Sequence, residues 1–164
     1  MTSPMPVVSN TSPILNLAIV GQLNLLRLQF GQIQIPPAVL NELKTDEARP
    51  GSTPIQAAIA DGWIQVQPIN NPTLAQLLTQ TLDQGEAEAI SLALELKAEW
   101  ILLDERDGRK AAKSFDLHVV GVLGILLRAK ASGEISSLQP VIADLTGKAG
   151  FRVSLELLMK ILQD

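Results

Sequence analysis

Four oxygen-bearing side chains, Asn10, Glu42, Glu86 and Asp104, each stand where a short apolar run ends or a helical pattern begins. One acidic residue after a strand ordinarily serves as a helix cap or lies in a solvated turn. Four such positions carry more information. In a parallel α/β sheet, strand ends and the starts of the following helices gather at one edge, so residues distant in sequence converge there. Carboxylate and amide oxygens are the ligands that hard cations such as Mg²⁺ or Mn²⁺ take. One or two such ions orient a water, help ionise it and neutralise charge on a phosphodiester in an in-line displacement.

The elements that must carry these residues follow from the apolar pattern. Short runs at 6–9, 33–35, 63–66, 100–103 and 118–120 read as strands, the fourth continuous enough to be central. Helical spacing covers 14–19, 23–28, 37–44, 55–60, 74–82, 84–96, 109–115, 122–131, 138–145 and 154–162. Pro37 suits the first turn of its helix, Glu86 sits where a helix dipole favours an anion, and Gly133 suits a helix end. A polar loop from Asp46 to Thr53 interrupts the pattern without marking a boundary, so residues 1–164 are expected to form a single domain. Strands alternating with helices are the sequence form of a parallel sheet covered on both faces. The expected fold is a three-layer α/β/α sandwich.

Composition narrows the chemistry. The chain has 164 residues, 46% hydrophobic and 18% charged, which suits a folded domain with its own core. Aromatics are only 3%, against a binder that stacks bases on ring platforms. A net charge of −4 gives no general pull on nucleic acid, so such a role would rest on local basic patches and bound cations. There is no Cys, which excludes disulfides, a thiolate nucleophile and zinc–sulfur sites, and the lone His118 excludes a multi-histidine metal site. The first six residues lack the features of a secretory signal, and residues 14–20 are far shorter than the ~20 that span a bilayer. The expectation is a cytoplasmic protein with no membrane association.

Six segments in order carry a family resemblance: VVSNTSPIL (7–15), PPAVLNEL (36–43), LDQGEAEAISLA (82–93), ILLDERDGRKAA (101–112), VVGVLGILLRAKASG (119–133) and FRVS (151–154). Together they resemble the PIN-domain nucleases, especially a VapC-like branch known only as a domain of unknown function. The resemblance places the family's acids on Asn10, Glu42, Glu86 and Asp104, with Asp107 as a further ligand. It implies a Mg²⁺- or Mn²⁺-dependent ribonuclease of the toxin type, acting on RNA as a homodimer with a small antitoxin partner. The first of these positions is normally Asp, and Asn10 supplies a neutral oxygen in its place. Fewer carboxylates mean weaker cation binding. The departure opens a second reading, a catalytically silent module that binds protein or RNA. A third, a phospho-acceptor signalling domain, expects an acceptor Asp on a middle strand and a Lys on a later one, and neither is evident.

Other residues are weighed against plainer roles. Arg106, Arg109, Lys110 and Lys113 cluster beside Asp104 and suit either an RNA backbone or a solvated helix face. Thr11 and Ser12 read first as helix caps, the resemblance adding a site role for Ser12. Glu88, about 200° around a helix from Glu86, reads as a solvated or capping side chain. Which of Asp104, Glu105 and Asp107 points inward is left open. His118 reads as structural or surface, and Trp63 and Trp100 as packing.

Overall fold

The structure, a computed structural model, describes residues 5–44 and 47–162. Met1 to Pro4 of the N-terminus and Asp46 of the polar loop therefore lie outside the described residues. The apolar runs become β1 (Val7–Ser9), β2 (Ile33–Ile35), β3 (Ile64–Val66), β4 (Trp100–Leu102) and β5 (Val119–Val120). Every pairing is parallel and the order is β3-β2-β1-β4-β5. Val8 lies level with Gln34 on one side and Ile101 on the other.

The helices are α1 (Thr11–Ile19), α2 (Asn24–Phe30), α3 (Pro37–Leu43), α4 (Ser52–Ala60), α5 (Pro72–Leu78), α6 (Gln84–Leu96), α7 (Arg106–Ser114), α8 (Val122–Ala131), α9 (Leu138–Lys148) and α10 (Leu155–Leu162). Strand side chains alternate between two apolar layers, as the pleat requires. Val7, Ile33, Ile35, Ile64 and Leu102 pack with the buried residues of α1, α2, α8 and α9. Val8, Ile101 and Leu103 pack on the other side with Ala89, Ile90, Leu92 and Ala93 of α6 and Ala112 of α7. The result is the three-layer α/β/α fold.

Four helices, α1, α4, α5 and α7, start two or three residues earlier than their apolar spacing indicates, and in α5 and α7 the local reason is plain. Pro72 occupies the first turn of α5 and the Asn71 side chain accepts from the Leu74 amide, so this helix spans 72–78 rather than 74–82. α7 begins at Arg106 with Glu105 as its N-cap, which brings Asp107 and Gly108 inside the helix. α3 and α6 are tied reciprocally. Glu42 of α3 accepts from the Gly85 amide in the first turn of α6, and Glu88 of α6 accepts from the Ala38 amide in the first turn of α3, both at 3.0 Å. Each carboxylate satisfies a donor that the partner helix cannot, in the favourable sense of its dipole. Glu88 is thus a cap in trans.

The strand order reverses between β1 and β4. In open α/β sheets the crevice beyond the carboxyl ends of two such strands is where ligands bind. Asn10 follows β1 directly, and Asp104 follows β4 by two residues.

Candidate metal centre at the sheet edge

Asn10 prolongs β1, its amide donating to the Leu102 carbonyl at 3.0 Å. It is 2% exposed, it caps α1 through its backbone alone, and its Oδ1 has no hydrogen-bond partner. Asp104 follows β4, the strand paired with β1. Its Oδ1 accepts from the Val122 amide at 2.9 Å in the first turn of α8, while its Oδ2 is buried and unpartnered. Glu86 is held by a capping box with Asp83, whose amide donates to Glu86 Oε1. The second oxygen of Glu86, Oε2, is again buried without a donor. Among the described residues, the buried side-chain atoms lacking a partner are these three oxygens and Gln29 Oε1. A buried oxygen without a donor costs about 1–3 kcal/mol, and three of these four atoms belong to expected ligands.

Glu42 is placed differently. Its Oε1 accepts from the Gly85 amide and its Oε2 from the Thr11 hydroxyl at 2.5 Å, so it bridges the residues next to Glu86 and Asn10. No group of three or more Asp, Glu, His or Cys side chains among the described residues lies close enough to share a cation. Glu42 is tied to the neighbours of Asn10 and Glu86, and Gly108 of the helix after Asp104 abuts Glu86, but the carboxylates do not form a closed cage. The physical reason is local supply, since each acid finds an N–H of a nearby helix start. The unpartnered set, Asn10 Oδ1, Glu86 Oε2 and Asp104 Oδ2, suits a hard cation in donor chemistry.

Three glycines make room for the three acids, a feature that sequence reasoning missed. A Cβ at Gly85 would lie 2.5 Å from Glu42 Oε2, and one at Gly121 would lie 2.6 Å from Asp104 Oδ1. A Cβ at Gly108 would collide with Glu86 Oε2. None of the three has a positive φ, so they serve space rather than backbone freedom. The available signal was a glycine inside a helical stretch at Gly108, which lowers helix propensity without local reward. Gly108→Ala should therefore change the melting temperature little, since the ~0.5–1 kcal/mol that Ala gains in a helix is offset by shifting the buried Glu86 carboxylate, held by its capping box. The same change should reduce divalent-cation binding about tenfold or more by displacing that carboxylate. Calorimetry and a Mn²⁺ titration of the variant check both halves.

Burial pushes the Glu86 carboxyl up to about 7, helped by the charges of Asp83 and Glu105 and opposed by the Asp83 backbone hydrogen bond. Burial likewise raises Asp104 to about 6, with Glu105 adding to the rise and the Val122 amide and Arg109 opposing it. Both groups bind protons more tightly folded than unfolded, so their contribution to stability is complete below the unfolded pKa and is lost as pH rises through the folded one. Cation-free protein should lose stability between about pH 4 and 7. Glu86→Gln should remove the upper part of that loss, of order 1–3 kcal/mol, measured as the denaturation midpoint against pH. An unchanged pH profile in this variant would show that Glu86 is not the group titrating.

Glu105 rather than Asp107 supplies the additional negative charge beside these acids. Asp104 faces inward, Glu105 is exposed on the rim, and Asp107 is exposed in the first turn of α7. The hydroxyls of Thr11 and Ser12 are not caps of α1. They reach across to Glu42 and Glu105, the latter at 3.0 Å. Arg106, Arg109, Lys110 and Lys113 line one cleft together with Asp104. Arg109 also comes near Gly121, beside Asp104. His118 is exposed with its ring 5.8 Å from that of Trp100, away from any acid pair.

The family model for the PIN domain matches residues 6–164. PIN domains commonly use divalent metal ions and commonly bind RNA. Among solved structures, the fold is similar to that of a PilT N-terminus domain protein from the hyperthermophilic archaeon Sulfolobus solfataricus P2. The TM-score is 0.57 at 19% identity, over 76% of this chain and 93% of that one. No curated protein matches the chain. No helix among the described residues is long and apolar enough to cross a membrane.

Proposed function

Since this chain belongs to the PIN-domain family, we propose that it is a Mg²⁺- or Mn²⁺-dependent endoribonuclease of the VapC-like toxin type. The observation that carries this reading is the set of buried, donorless oxygens on Asn10, Glu86 and Asp104 at the point where the strand order reverses. A divalent cation held there would neutralise charge on a phosphodiester and acidify an attacking water. The chain's own groups supply the rest. Asp104 is oriented by the Val122 amide and Glu86 by its capping box, so both present a fixed oxygen. Glu42, fastened to Thr11 and Gly85, adds negative charge behind them. Arg106, Arg109 and Lys113, with Lys110, offer the RNA backbone positive charge next to the acids.

Purified protein given Mn²⁺ and single-stranded or structured RNA should produce internal cleavage that chelation stops. Folded protein that cleaves nothing with any divalent ion would count against the reading. Asn10 favours one alternative, a silent module that keeps the fold and binds RNA or protein without cutting. A homodimer and a small antitoxin partner belong to the main proposal. α10 exposes Leu155, Leu157 and Met159, apolar surface that such partners cover.

A further inference from the structure

Residues 149–154 connect α9 to α10, and Ala149 to Arg152 line two clefts that also hold Asp104. In one, Arg152 lies with Ser12, Asn16, Asp104 and Glu105. In the other it lies with Asp104, Arg109 and Gly121. The first of these shares only Asp104 with the basic cleft of α7. Asp104 therefore has cations from two separate parts of the chain beside it.

The backbone around Arg152 is anchored on both sides. The amides of Ala149 and Phe151 both donate to the Leu145 carbonyl, at 3.2 and 2.9 Å, and Gly150 turns the chain with φ +68°. Phe151 and Leu158 pack against the core, and the Ser154 hydroxyl accepts from the Leu157 amide at 3.2 Å to start α10. The Arg152 side chain itself is exposed. Ion pairs among the described residues join Arg49 to Glu47 and Lys148 to Asp144, and Arg152 enters neither. A guanidinium on a fixed backbone, beside an acidic crevice and committed to no carboxylate, is arranged for an anion that arrives with the substrate. Its planar fork matches a phosphate in two hydrogen bonds.

We propose that Arg152 is a phosphate-positioning residue, holding the RNA backbone beside Asp104 in the cleft it shares with Arg109 of α7. This rests on the ribonuclease reading of the site. The strand then passes Asp104 along cations contributed by both α7 and the 149–154 connection, local positive charge that a chain of net charge −4 needs to hold RNA.

The test measures anisotropy of a short fluorescein-labelled single-stranded RNA with Ca²⁺ across a range of NaCl, the RNA checked on a gel for integrity. Arg152→Ala should weaken binding roughly threefold to tenfold and lower the salt slope by about 0.7, the share of one phosphate contact. Arg152→Lys should restore the slope, since the charge returns, and only part of the affinity. In cleavage assays KM should rise more than kcat falls, and the Mn²⁺-induced thermal shift should match that of the parent chain. Arg49→Ala serves as a control for loss of a remote charge. A parent-like salt slope in Arg152→Ala, with RNA binding and cleavage intact in the parent, overturns the Arg152 proposal alone. A parent chain that binds no RNA overturns the ribonuclease reading with it.

Discussion

Asp104→Asn is expected to remove RNA cleavage, by roughly a thousandfold or more, the scale on which losing a preorganised electrostatic group acts. The substitution keeps the side chain's shape and leaves an oxygen to accept from the Val122 amide. It takes away the charge that Asp104 Oδ2 holds in a buried position without a donor. Because burial already raises Asp104 to about 6, ionised Asp104 destabilises the cation-free fold near neutral pH. The variant should therefore melt at the parent temperature or above it while losing the stabilisation that Mn²⁺ confers. A gain in stability coupled to a loss of activity marks a residue kept for chemistry rather than packing. The pairing of circular dichroism with a cleavage assay decides it, and cleavage at the parent rate would remove Asp104 from the centre.

Asn10→Asp should act in opposite directions depending on the cation. Asn10 is 2% exposed, beside Thr11, whose hydroxyl is bonded to Glu42. A new carboxylate there is buried and should cost the cation-free protein about 1–3 kcal/mol. With Mn²⁺ present the same charge becomes a ligand and should raise affinity about tenfold or more, by ~1.4 kcal/mol or more. Cleavage should rise with it. If the wild-type chain is silent and Asn10→Asp turns cleavage on, the non-catalytic reading holds for the natural sequence. If affinity and cleavage both stay level, Asn10 is no ligand, and its unpartnered oxygen needs another account.

Much of the architecture was legible before any coordinates. The strands at 33–35 and the helices at 84–96 and 122–131 match the structure, because their apolar runs and end signals are local. α7 extends three residues beyond its sequence signal because Asp107 and Gly108 favour a helix weakly, and Gly108 clears Glu86, which lies 22 positions away. Thr11 and Ser12 read as caps because a hydroxyl at a helix start usually is one. Carboxylates 31 and 93 residues away claimed them instead. Arg152 gave no signal beyond a short family segment.

The amino-acid order by itself therefore determined which oxygen-bearing residues stand at strand ends and helix starts, since those positions follow from periodicities of a few residues. Only the tertiary structure decided which oxygens are left without donors, that Glu42 is spent on Thr11 and Gly85, and that cations from α7 and from Arg152 lie beside Asp104. The reason is one of range. Secondary structure is written in neighbours along the chain, whereas a side chain's last hydrogen bond depends on whichever donor the closing layers bring within about 3 Å of it.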